Sequence, residues 1–128
     1  MELINTPLAP TPPGPFSHAS VVGPFVFTSG MGGLDPDTGN VVSDDVIAQT
    51  EQSLKNVQAI LEASGCTLND VVKAVVYLTD MADYPRVNDV YERFFAPHRP
   101  ARTCVAVSSL PVRERMKIET IAVLPGSF

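Results

Sequence analysis

The feature that most constrains this fold is an apolar run from Val71 to Thr79, which lies between two segments with helical periodicity. A run of this kind is typical of a central strand that is buried on both faces. Before it, apolar residues recur at helical spacing after the start signal Ser43-Asp44-Asp45, and Gly65 stands where a C-terminal cap belongs. After it, Asp83-Tyr84-Pro85 opens a second amphipathic segment that Pro97 ends. The sequence therefore predicts two helices that pack against a sheet.

Other strands are predicted on both sides of this unit. Residues 17–22 and 25–29 read as two strands around the turn Gly23-Pro24, and residues 102–109 and 116–124 read as two more. Five of the twelve prolines lie between residues 7 and 15, a segment predicted to be an extended arm.

The strand that begins at Arg102 carries the first candidate functional residue. One face of this strand holds Arg102, Cys104 and Ala106. The other face, which we expect to be the core face, holds Thr103, Val105 and Val107. A guanidinium binds small carboxylates through two parallel hydrogen bonds, so Arg102 is a candidate anchor for a small anion. The alternative is an arginine at a strand end whose charged group simply reaches solvent.

The last strand carries the second candidate, Glu119, among apolar neighbours. A carboxylate in such a strand costs free energy unless it is paired, hydrogen-bonded or at the edge of a pocket. The alternative is a solvent-facing glutamate matched to Lys117 or to a residue on a neighbouring strand. Together, Arg102 and Glu119 suggest an anion clamp and a carboxylate base in one site, since a glutamate beside a bound anion can activate water.

Two glycine-containing turns are candidates for binding loops. The stretch Thr28–Gly33 could cradle an anion with backbone N–H groups, or could be a turn that requires positive φ; its spacing fits neither a P-loop nor a dinucleotide-binding loop. The stretch Asp35–Asn40 lacks the spacing of a calcium loop, so we expect a solvated turn.

Composition excludes several classes of protein. The length of 128 residues predicts a single domain over residues 1–128. A net charge of −5 argues against a large nucleic-acid surface, which needs a basic face. No membrane span or signal peptide is recognisable, so we expect a cytoplasmic protein with no membrane contact. Cys66, Cys104, His18 and His98 are scattered, which predicts reduced thiols and no metal site.

Seven stretches, matched in order and spacing, point to one family. They are Gly14-Pro15, Thr28-Ser29-Gly30, residues 35–39 (DPDTG), 52–57 (QSLKNV), 87–95 (VNDVYERFF), 100–105 (PARTCV) and 118–123 (IETIAV). On these residues, which span nearly the whole chain, the sequence resembles the RidA/YjgF group of enamine and imine deaminases, formerly called endoribonuclease L-PSP-like proteins.

The resemblance implies a fold, an assembly and a reaction. The fold would be a chorismate-mutase-like α+β fold, a mixed sheet with two helices on one face. The assembly would be a homotrimer with its sites in clefts between subunits. The reaction would be hydrolysis of reactive 2-enamines and 2-imines, such as 2-aminoacrylate, to 2-keto acids and ammonia, without a cofactor or metal.

The resemblance also implies roles for individual residues. Arg102 matches the arginine that grips the substrate carboxylate, and Glu119 matches the glutamate that orients or activates water. Ser29, with Gly30 beside it, matches a pocket serine placed to hydrogen-bond substrate or water. Cys104 matches a cysteine that lines the pocket and is not a nucleophile.

Two departures from the family pattern leave the function open to alternatives. Phe16 stands where active members commonly carry tyrosine, so a hydroxyl is missing from the substrate-binding set. The stretch Met31-Gly32-Gly33 departs from a glutamine-containing form that is frequent in the family. The main alternative is a non-catalytic module that binds keto acids or similar small carboxylates. RNA cleavage, which the older family name suggests, fits poorly with an acidic chain.

Overall fold

The chain folds into a mixed sheet of seven strands with two α-helices packed on one face. The structure is a computed structural model that describes residues 1–127. The strands and helices in chain order are β1 (Glu2–Ile4), β2 (Ala19–Val22), β3 (Phe25–Thr28), β4 (Met31–Gly32), α1 (Val46–Ala63), β5 (Val71–Leu78), α2 (Tyr84–Phe95), β6 (Ala101–Ala106) and β7 (Met116–Val123). This architecture confirms the predicted α+β fold with both helices on one face.

The strand order is β1-β2-β3-β7-β5-β6, and the short strand β4 pairs with β7 as well. All pairs are antiparallel except β5 and β6, which are parallel and are joined through α2. Parallel neighbours require such a crossover, and α2 supplies it on the same face as α1. β7 therefore lies at the middle of the sheet, with β5 on one side and both β3 and β4 on the other.

The two helices begin and end close to the predicted residues. Asp45 caps α1 by accepting a hydrogen bond from the backbone N–H of Ile47, and Gly65 adopts the left-handed conformation (φ 90°) just beyond the helix. Apolar residues from α1, α2, β5 and β7 fill the layer between helices and sheet. The largest fully buried apolar side chains include Leu54, Ile60, Leu61, Leu78, Phe95, Met116 and Ile118.

The opposite face of the sheet is open, and two predictions about burial are wrong for this reason. β5 buries only the face toward the helices, whereas Val72 on the open side is 46% exposed. In β6 the face predicted to be core carries Thr103 and Val105, which are exposed, while Arg102 and Cys104 point toward the helices. The alternation along β6 correctly separates the residues of its two faces, but it does not indicate which face the helices cover.

The glycine-rich turn after β3 is shaped by close contacts. Gly30, Gly32 and Gly33 all have ordinary negative or extended φ angles, so the positive-φ explanation is wrong. A side chain on Gly33 would collide with the backbone of Gln49 in α1, and one on Gly32 would collide with the carboxylate of Glu114. Gly33 is therefore required because the backbone of α1 packs directly against it, and Gly32 leaves the space that the Glu114 side chain occupies.

A buried aspartate joins α2 to the start of β7. Asp83 is 1% exposed, and both of its oxygens lie 2.9 Å from Nη2 of Arg115. Arg86 forms a second ion pair with Asp83. The Arg115 backbone N–H also donates to the side-chain oxygen of Gln49 in α1 (2.8 Å), so this junction ties three elements together.

Candidate functional site

The candidate site lies at a gap in the sheet beside the middle of β7. β3 pairs with residues 121–123 of β7, and β4 pairs with residues 117 and 118. On this side of β7, Glu119 and Thr120 therefore face the connection between β3 and β4, while on the other side both pair with β5. The Thr120 N–H donates to the side-chain oxygen of Thr28 (3.0 Å), which takes the place of the missing strand partner.

A depression of about 300 Å³ opens over this gap. Its walls bring together four residues that the sequence predicted for the site, Phe16, Ser29, Gly30 and Glu119, and two that it did not, Tyr77 and Lys117. Tyr77 and Lys117 are direct partners in the register between β5 and β7, and Glu119 lies two residues further along the same face. Long-range register decides which side chains share this face, so local sequence patterns give no signal for Tyr77.

Tyr77 is the hydrogen-bond partner of Glu119. Its hydroxyl donates to Oε1 of the carboxylate in a short hydrogen bond. This bond, more than burial, raises the pKa of the Tyr77 phenol, which keeps the phenol protonated as a donor at neutral pH. Among residues 1–127 no donor reaches Oε2, so that oxygen can accept a proton or a hydrogen bond from a ligand.

The hydroxyl group of Ser29 already donates its proton in a hydrogen bond within the chain. The hydroxyl donates to the backbone oxygen of Ser17 (2.7 Å), and the Ser29 N–H donates to the backbone oxygen of His18 (2.8 Å). The oxygen lone pairs remain, so Ser29 can only accept a hydrogen bond from a ligand while this arrangement holds. The ring of Phe16, which is 44% exposed, forms the neighbouring wall and offers no polar group.

Arg102 and Cys104 lie on the opposite face of the sheet from Glu119. Arg102 pairs with Ala74, and Ala74 pairs with Thr120, the neighbour of Glu119 on β7. Paired residues share a face and successive residues alternate, so Arg102 and Glu119 point to opposite sides. A single chain therefore does not bring the predicted clamp and the predicted base together.

Two tyrosines of α2 hold Arg102 in place. Its guanidinium carbon lies 4.8 Å from the ring centre of Tyr91 and 5.5 Å from that of Tyr84, and Nη2 donates to the Tyr84 hydroxyl (3.0 Å). A groove of about 360 Å³ beside α2 includes Arg102 in its lining. Burial raises the pKa of the Cys104 thiol and the nearby Arg102 charge opposes that shift, so the thiol stays protonated at neutral pH.

Two further tests concern metals and membranes. Within residues 1–127, no three His, Cys, Asp or Glu side chains come together as a metal-binding group. Neither helix in this part of the chain is both long and apolar enough to cross a bilayer.

The fold and the depression beside β7 define a class of small α+β proteins, and comparison with known proteins identifies the family. The profile of the family described as Endoribonuclease L-PSP matches residues 6–124. The crystal structure of the YjgF gene product from E. coli superposes with a TM-score of 0.91 at 42% identity, covering 96% of this chain and 98% of that one. The chain belongs to the RidA/YjgF family.

Relatives in this family carry two kinds of name. The 2-iminobutanoate/2-iminopropanoate deaminase of Salmonella typhimurium is 46% identical over 125 residues, which are 95% of this chain and 97% of that protein. The RutC family protein PH0854 of Pyrococcus horikoshii is 48% identical over 121 residues, 94% of this chain and 96% of that one. The family thus includes named imine deaminases as well as members whose names state no reaction.

Proposed function

We propose that this protein hydrolyses 2-imino acids, the tautomers of 2-enamines such as 2-aminoacrylate, to 2-keto acids and ammonia. The observation that carries the proposal is the depression in which the Glu119 carboxylate, oriented by Tyr77, lies beside Ser29. It occurs in a chain 46% identical to a named 2-iminobutanoate/2-iminopropanoate deaminase.

In the proposed mechanism Glu119 acts as the general base. Its free Oε2 takes a proton from a water molecule as the water oxygen attacks C2 of the imine, and the imine nitrogen takes up a proton from solvent. Glu119 then returns its proton to the nitrogen of the resulting carbinolamine. Ammonia leaves as the carbinol hydroxyl gives its proton to the Glu119 carboxylate, which forms the keto acid, and Glu119 finally releases that proton to solvent. Because imines hydrolyse in water unaided, positioning of water and substrate can supply much of the acceleration. The hydrolysis consumes only water, so the proposal includes no cofactor.

We further propose that the substrate carboxylate is held by Arg102 from a second copy of the chain, in a homotrimer. Two observations support this assembly: Arg102 and Glu119 point to opposite faces of one sheet, and the open face exposes apolar side chains. The exposed apolar residues on or beside that face include Val22, Phe25, Phe27, Val72 and Val105. Exposed apolar surface of this extent is typical of protein interfaces. Free thiols at Cys66 and Cys104 fit the cytoplasmic location that we also propose.

The test is a coupled assay in which a serine dehydratase generates 2-aminoacrylate and pyruvate release is followed. We expect the Arg102→Ala variant to lose the acceleration while the circular dichroism spectrum stays unchanged. Arg93→Ala is the matched control, because Arg93 is an exposed arginine on α2 that forms an ion pair with Glu51 (3.4 Å) and lines neither the groove beside α2 nor the depression over Glu119. Undiminished activity of Arg102→Ala would refute the carboxylate clamp.

A second candidate function, binding of keto acids without catalysis, is favoured by one observation, the absence of a hydroxyl at Phe16. The two functions differ in the effect of Glu119→Ala. Deamination predicts that this substitution removes the acceleration. Pure binding predicts that 2-keto acids raise the thermal unfolding midpoint while the protein gives no acceleration at all.

A further inference from the structure

A second, smaller cavity adjoins the candidate site. It has a volume of about 80 Å³ and shares Phe16, Gly30 and Lys117 with the depression over Glu119. Its other walls are mostly apolar and come from the proline-rich arm, the segment around β4 and the connection before β7. They include Pro10, Pro12, Pro13, Met31, Leu34 and Val112.

The cavity contains a carboxylate that lacks a hydrogen-bond partner. Glu114 is 3% exposed, and its Oε2 accepts no hydrogen bond in the described part of the chain. Lys117 Nζ lies 3.3 Å from Oε2, so the two side chains form an ion pair. Burial raises the pKa of the Glu114 carboxyl, and the Lys117 charge opposes that shift only in part. A buried acceptor in this state is costly unless some group donates to it.

The surrounding backbone is arranged to hold Glu114 in this position. Val112 and Arg113, directly before it, have φ angles of 49° and 61°, a conformation that is strained for a β-branched residue such as valine. Gly32 has no side chain at the point where the Glu114 carboxylate packs against it, and the stem of Lys117 covers Gly30 in the same way. Glu114 is thus packed directly against Gly32 in a cavity whose other walls, apart from Lys117, are mostly apolar.

We propose that this cavity is a subsite for the substrate side chain and that it selects a short aliphatic stem ending in a neutral hydrogen-bond donor, such as a hydroxyl group. The cavity holds roughly three non-hydrogen atoms, since a water occupies about 30 Å³. A donor would satisfy Oε2 of Glu114, whereas an acceptor would be repelled by it. A cationic end group is disfavoured because the Lys117 ammonium already lies against the same oxygen. The inference rests on the proposed function, because it assigns this cavity to the substrate of the neighbouring site.

The test compares two imino acids of nearly equal shape, generated in place by an L-amino-acid oxidase from homoserine and from norvaline. Their side chains differ only in a terminal hydroxyl or methyl group. We expect kcat/KM to favour the homoserine-derived imine about tenfold, the effect of one additional hydrogen bond to a buried carboxylate. In Glu114→Leu the ratio of the two kcat/KM values should fall to one or below, and in Glu114→Gln, which keeps an acceptor oxygen, it should be partly retained.

The difference in intrinsic reactivity between the two imines cancels when the ratio of their kcat/KM values in the wild type is divided by the same ratio in a Glu114 variant. If Glu114→Leu does not fold, Glu114→Gln and a Glu114→Met variant decide the question. A wild-type ratio near one, or a ratio that survives both the Leu and the Met substitution, overturns the proposal and leaves water as the occupant of the cavity. If the protein deaminates neither imine, the proposed function fails instead. The subsite is then judged by thermal stabilisation with 4-hydroxy-2-ketobutanoate against 2-ketopentanoate, for which the same preference and the same loss in Glu114→Leu are expected.

Discussion

Mixing two inactive variants should restore activity if the site is shared between copies of the chain. Arg102→Ala removes the proposed clamp, and Glu119→Gln removes the proposed base, so each variant alone should be inactive. Because the two residues point to opposite faces of the sheet, each site of the proposed oligomer would take Arg102 from one copy and Glu119 from a neighbour. After random exchange of an equimolar mixture, about one quarter of the sites receive both intact residues, as the symmetry of a closed ring requires.

The assay follows pyruvate release after the two variants are unfolded together and refolded, and native mass spectrometry confirms that mixed oligomers have formed. We expect about one quarter of the wild-type rate per chain, from the same symmetry argument. The control mixes Arg102→Ala with the Arg102→Ala/Glu119→Gln double variant, in which no chain supplies the arginine and no activity should return. Mixed oligomers without recovered activity would refute a site divided between copies.

Three further predictions concern single residues. Phe16→Tyr should raise kcat/KM for 2-aminoacrylate by up to about tenfold if the hydroxyl reaches the substrate, and an unchanged or lower value would show that the ring alone suits this site. Glu114→Gln should gain stability relative to the wild type as pH rises above 4.5. The raised pKa of Glu114 means that the folded wild type binds a proton more tightly than the unfolded chain does, so the wild type loses stability as that proton leaves. Chemical denaturation of both proteins at several pH values measures the difference in unfolding free energy, and a pH-independent difference would contradict the prediction. Asp83→Asn should destabilise the fold by roughly 2–3 kcal/mol and lower the thermal midpoint by about 10 °C. The expected loss is smaller than that for breaking a fully buried ion pair, because Arg115 is partly exposed. An unchanged midpoint would mean that the Asp83 carboxylate does not anchor the start of β7.

Patterns within single elements predicted the fold well. Helix α1 could be bounded from its cap, its apolar spacing and Gly65, because those signals are local. Local patterns failed where two elements had to be placed relative to each other. The alternation in β6 separates Arg102 from Thr103 correctly, yet it does not tell which of them faces α2.

The candidate site was predicted in part for the same reason. Glu119 is a carboxylate among apolar neighbours in its own strand, so the sequence draws attention to it, whereas Ser29 was assigned to the site only through the family resemblance. Tyr77 is an ordinary strand residue, and only its pairing with Lys117 in the sheet places it beside Glu119. Glu114 is one of several charged residues before β7, and no local pattern indicates that it is 3% exposed or that Val112 and Arg113 before it have positive φ angles.

The gap between β3 and β4 divides the site into two parts, one whose sequence is constrained by the sheet and one whose sequence is free to vary. Glu119 belongs to the strand with the most neighbours in the sheet, so its position is set by the same pairing that holds the core together. The wall opposite it is a two-residue connection, Ser29-Gly30, and the side chain of Thr28 already supplies the backbone partner that Thr120 would otherwise lack. Substitutions in that connection and in the arm beside it can reshape the candidate site without moving the carboxylate. If Glu119 is the base that we propose, one sheet can serve different substrates while it keeps that carboxylate in place.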